Sequence, residues 1–118
     1  MRHYTTFALQ TEDGAPAGML RVEQARSFWQ RFWGLMGRRR LPKGEALLLA
    51  PCNSIHMCFM RFAIDAVYLD EDYRIIKVVR YLRPWLGVSM CLGACAVLEV
   101  AAEPREYLYR SGMRLVEQ

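Results

Sequence analysis

Only two of the 118 residues are lysine, Lys43 and Lys77, and only two are histidine, His3 and His56. Positive charge is therefore carried almost wholly by arginine, whose planar fork suits carboxylates and phosphates better than a diffuse ammonium does. Long hydrophobic runs are also missing. The longest apolar stretches, Ala46 to Ala50 and Ala94 to Leu98, fall far short of the roughly 18 to 20 residues that cross a bilayer, so no spanning helix is expected. The first dozen residues hold no apolar core of the kind a secretory signal needs, which makes a cytoplasmic location the expectation. No glycine-rich phosphate loop, nucleophile elbow, paired-glutamate arrangement or zinc-protease helix motif occurs. What remains is an ordinary globular balance, 53% hydrophobic and 24% charged, in a length that suits a single domain over residues 1–118.

Sixteen basic residues against twelve acidic ones give a net charge of +4. The excess is local, because Arg21 to Lys43 contains seven basic residues and one acidic residue, Glu23. Nucleic-acid binding through this 21–43 region is one reading, but no recognisable nucleic-acid module accompanies it, and a solvated helix face with a loop is the plainer one. Four cysteines stand at 52, 58, 91 and 95. Without a secretory signal they read as thiols rather than as a disulfide framework.

Patterning predicts a mainly β (α+β) chain: a small antiparallel β-barrel or sandwich of seven to eight short strands. Short strands are expected near Tyr4 to Leu9 and Gly18 to Val22. From Glu23 the period changes, and Ala25, Phe28, Trp29, Phe32 and Trp33 form one helical stripe, predicting an aromatic helix over 23–34 that Gly34 caps and that packs on the sheet. Strand-like runs follow at Ala46 to Leu49 and Asn53 to Phe59. Asp65 to Leu69 and Arg74 to Tyr81 flank Asp70, Glu71 and Asp72 as a hairpin. Val97 to Ala101 resumes the strand pattern, a short helix is expected near 103–110, and Met113 to Val116 closes the chain.

Gly34-Leu35-Met36, Leu41-Pro42, Asn53-Ser54-Ile55-His56-Met57 and Met60-Arg61-Phe62-Ala63-Ile64-Asp65, in that order, resemble one family: domain of unknown function 192, also called uncharacterised protein family 0127. The resemblance covers about residues 18–102. It implies a β-rich fold and no established activity. Many members carry secretion signals or lipoprotein starts, which are not seen here.

Candidate chemistry gathers between positions 52 and 65. On one continuous strand, Cys52, Ser54, His56 and Cys58 would project to the same side, and an imidazole beside a thiol can create a nucleophile. That supports a Cys/His-dependent hydrolase or redox enzyme as an alternative, although two small buried cysteines and a satisfied histidine are the plainer reading. A zinc site drawn from Cys52, His56, Cys58, Cys91 and Cys95 has only one conforming spacing, Cys91 with Cys95, so neither a metal nor another cofactor is expected. Asp65 shares a face with Val67 and Leu69, which demands a partner for its charge, and a fork from Arg61 is expected to supply it. The leading expectation is a non-enzymatic binding or accessory domain. Ser54, His56, Arg61 and Asp65 would line its pocket, and an anionic small ligand or a protein segment would fill it.

Overall fold

The computed structural model describes residues 4–27, 30–31, 34–36, 38–57, 59–102 and 108–118. Nine strands run β1 Tyr4–Gln10, β2 Pro16–Ala25, β3 Glu45–Leu49, β4 Ser54–His56, β5 Ile64–Leu69, β6 Ile75–Leu82, β7 Val88–Met90, β8 Ala96–Ala101 and β9 Arg114–Glu117. Seven form one sheet in the order β6-β5-β8-β3-β2-β1-β9, and β4 with β7 make a separate antiparallel ribbon.

Strands β3, β5 and β8 lie in the middle of the large sheet, and their residues are buried almost without interruption. Continuous apolar runs rather than alternation are what burial on both faces requires. One face gathers Phe7, Leu20, Val22, Leu48, Val67 and Leu98 with their neighbours into a first core. The opposite face gathers Leu35, Leu47, Leu49, Ile64, Tyr68 and Val97 into a second, covered by the ribbon and by the chain that links β2 to β3. That link, residues 26–44, is long because β2 and β3 pair in parallel, which no tight turn can achieve.

The sheet is curled but it is not a closed barrel. Its outer strands meet at one corner only, through an Arg74–Arg114 bridge and three backbone hydrogen bonds: Ile75 N–H to Met113 O, Gly112 N–H to Ile75 O, and Leu115 N–H to Tyr73 O. The pairing is mainly antiparallel as expected, and the parallel β2–β3 pair makes the sheet mixed.

Strand β2 continues to Ala25, through the start predicted for the helix. The helical turn begins at Ser27 instead, where a reciprocal cap forms. The Ser27 hydroxyl accepts from the Gln30 amide, and the Gln30 side-chain oxygen accepts from the Ser27 and Arg26 amides. Gly34 ends the turn with φ +46°, as expected of a left-handed cap. The aromatic stripe at 28, 29, 32 and 33 lies outside the described residues, as does most of the helix predicted over 103–110; residues 108–110 are irregular. The acidic hairpin turn forms as predicted: Asp70 Oδ1 accepts from the Asp72 and Arg74 amides at 2.8 and 2.9 Å.

Candidate functional site

The second core is incomplete. Between the outer face of the large sheet, the 31–36 turn and strand β4 lies a cavity of about 360 Å³. Leu35, Leu49, Ile55 and Met60 supply apolar wall, while Arg31, Cys52, Ser54, His56 and Glu99 supply polar groups. Predominantly apolar lining with a few converging polar groups is the usual make-up of a small-molecule pocket.

Glu99 is the unusual member. It sits at the centre of β8 with 4% of its surface exposed. Its neighbours across the ladder are Leu47 on β3 and Ala66 on β5, both buried and apolar. Among the described residues, none donates a hydrogen bond to its carboxyl. One row further along the sheet, Glu23 of β2 lies opposite Leu47 on the same face. Arg38, whose charge acts on Glu99, bonds Glu23 at 2.9 Å and is already paired. Burial pushes the Glu99 carboxyl from 4.5 up to about 7, opposed only in part by the charge of Arg38. At neutral pH this side chain is therefore poised between a hydrogen-bond donor and an anion. Gly34 lies beside it, where a Cβ would stand 3.7 Å from Glu99 Oε1, an ordinary van der Waals contact.

The ribbon is fixed over the sheet by Tyr68, whose hydroxyl donates to Ser89 Oγ at 2.7 Å, and its own pairing is extended by the Met57 amide bonded to Gly87 O at 2.8 Å. Because β4 spans only three residues, Cys52 is not on it. The Cys52 thiol donates to Ser54 O at 3.1 Å, and burial raises its pKa, the reverse of what an activated nucleophile needs. Cys58 lies outside the described residues.

The four residues singled out from sequence do not converge. Ser54 and His56 line the cavity, with their ribbon positions exposed and Ile55 buried between them. Arg61 is exposed and lines none of the described cavities. Asp65 points to the first core and borders a different cavity, of about 180 Å³, with Tyr109. Its partners are not Arg61: Oδ1 accepts the Tyr81 amide at 2.8 Å and Oδ2 lies 3.8 Å from Arg80 Nε. The reason is local. Ile64 pairs with Leu82 but Ala66 pairs with Val79, so Arg80 and Tyr81 together face Asp65 in a β-bulge. The carboxylate satisfies the amide that the bulge leaves unpaired.

Sequence reasoning missed Glu99 and Arg31. A signal for Glu99 was present: it is the one charge within Ala94 to Ala102, a stretch otherwise apolar enough to be buried on both sides.

Fold and site together define a class: a mixed-sheet, β-rich domain with a small pocket on the outer face of its central strands. The chain belongs to the family described as "Uncharacterized ACR", domain of unknown function 192, whose model matches residues 8–115, a wider span than the motifs alone cover. An uncharacterised family 0127 protein of Thermococcus sibiricus is 32% identical over 92 residues, covering 75% of this chain and 59% of that protein. One from Pyrococcus horikoshii is 35% identical over 69 residues, covering 54% and 57%. The chain thus spans a little under three fifths of the length of these curated relatives. Among solved structures, a proposed transcription regulator from Sinorhizobium meliloti 1021 superposes with a TM-score of 0.88 at 23% identity, covering 98% of this chain and 95% of that one. A protein of unknown function from Novosphingobium aromaticivorans gives 0.83 at 20%, covering 95% and 84%. Both share the fold. No helix among the described residues is long and apolar enough to cross a membrane.

Proposed function

We propose that this chain is a non-enzymatic binding domain whose outer-face cavity takes a small anionic molecule with an apolar body. The observation that carries this reading is the cavity itself. Leu35, Leu49 and Met60 offer apolar wall beside Arg31, Ser54, His56 and a Glu99 that burial keeps near neutral. No set among the described residues combines a nucleophile, a base and an orienting group, and the Cys52 thiol is masked rather than activated. A thermal-shift screen of short carboxylates and phosphates, followed by titration calorimetry on the intact chain, tests the reading. Stabilisation by at least one apolar anion, lost in Arg31→Ala, is expected, and indifference to every anion would contradict it.

A protein segment is the second occupant, favoured by the exposed Val88 and Met90 on β7, which lie opposite His56 and Ser54, and by the exposed Leu86 and Leu92 beyond its two ends. A Val88→Lys, Met90→Lys double variant would abolish peptide docking there and leave binding of a small anion unchanged. The nucleic-acid reading has less support. Arg21 pairs with Glu45, Arg38 with Glu23, and Arg31 donates to the Arg26 carbonyl.

A further inference from the structure

We infer that the cavity selects an apolar monocarboxylate, whose carboxylate is gripped by a proton shared with Glu99 while its hydrocarbon lies along Leu35, Leu49 and Met60. The inference rests on the small-anion reading above and names the ligand class and the proton that accompanies it. Three observations point to it.

First, Glu99 lines the cavity from the centre of a doubly buried strand, with no donor among the described residues turned to it. A buried carboxyl left without a partner costs stability unless a ligand or a proton answers it.

Second, the charges around it are arranged for a single additional negative charge. The strands on either side present Leu47 and Ala66, and Tyr68 is the nearest titratable group on β5. From the turn come Arg31 and Arg38, and from the loop and ribbon come Cys52, Ser54 and His56. Arg38 is paired with Glu23. Arg31 spends one donor on the Arg26 carbonyl, and its guanidinium has five. With Glu99 protonated, the wall holds one guanidinium charge and one acid donor, which match one carboxylate. With Glu99 ionised, that guanidinium is offset and a ligand carboxylate meets a like charge.

Third, beyond these groups the wall is Leu35, Met36, Leu49, Ile55 and Met60, and such apolar surface cannot compensate the second charge of a phosphate dianion.

Binding is therefore coupled to proton uptake. Below the Glu99 midpoint the acid is already protonated and donates directly. Above it, one proton must be taken from solvent to form the O–H···O pair, and affinity falls about tenfold per pH unit.

The test is calorimetric titration of sodium hexanoate into the intact chain between about pH 6 and about pH 8.5, in two buffers of different ionisation enthalpy, with hexylamine as the cationic control. With a midpoint of about 7, hexanoate affinity should fall about thirtyfold across that range, with about one proton taken up per ligand at the alkaline end. Glu99→Gln keeps an amide donor and loses the titration, so its affinity should be flat with pH. Glu99→Leu should bind weakly at every pH, and thermal unfolding of both variants confirms that they are folded. Hexanoate binding that is equally tight across the range, with no proton uptake, would overturn the shared-proton inference and leave the anion pocket standing. Hexylamine binding that strengthens with pH would overturn the inference through the opposite ligand charge. Failure of hexanoate and of every other anion to bind would overturn the inference together with the reading beneath it.

Discussion

At the scale of single residues, the consequential decision is where a carboxylate is placed. Asp65 and Glu99 are the two buried charged residues among the described positions, and the structure treats them oppositely. Asp65 receives an amide and a guanidinium, whereas Glu99 receives neither from the described residues. The folded value of Glu99, about 7, lies above its ordinary 4.5, so the folded chain holds an extra proton between those limits. Its favourable contribution is fully present below about 4.5 and is lost as pH rises through about 7, a swing on the order of 3 kcal/mol. Glu99→Gln removes that swing. Urea denaturation should therefore show the variant gaining on the native chain by roughly 2 to 3 kcal/mol between about pH 4.5 and about pH 8. Arg38 opposes the upward shift, so Arg38→Gln should move the Glu99 midpoint higher still, read by carboxyl NMR. The central strand runs Ala46 to Leu49, Asp65 to Leu69 and Val97 to Ala101 were legible from their patterning. The partnering of the two acids was not, because it depends on which strands lie alongside and on a bulge that no spacing rule announces.

At the scale of elements, that bulge in β6 decides the fate of Asp65. Removing its carboxylate strands the Tyr81 amide, and Tyr81 itself holds a positive φ of 56°. Asp65→Ala should cost about 1 to 3 kcal/mol in chemical denaturation, and Asp65→Asn less, because an amide oxygen can still accept. The hairpin that carries Asp65 was readable in the sequence from its acidic turn, where Asp70 organises its own backbone. The cross-strand partner was misjudged as Arg61, because proximity in sequence substituted for the register that selects Arg80 and Tyr81. The helical stripe was likewise read about one turn too generously at its start. Strand β2 pairs with β1 as far as Glu23 and with β3 as far as Ala25, and those ladders outweigh local helical spacing until Ser27 offers a cap.

At the scale of the whole molecule, two cores share one set of central strands. The mainly β class followed from patterning. The parallel β2–β3 pair and the single-corner closure did not, because both are set by long-range pairing. Amides of β3, β5 and β8, buried on both faces, should exchange with solvent last in native-state hydrogen exchange, and those of the β4–β7 ribbon first. The same layering buries Glu99 at the floor of the outer-face cavity, and the shared-proton inference requires Glu99 to be a neutral acid in the folded chain at mildly acidic pH. The direct measurement is an NMR titration of the Glu99 side-chain carboxyl in carbon-13-labelled protein without ligand. The account predicts a midpoint near 7. A midpoint near 4.5, that of an exposed glutamate, would contradict it.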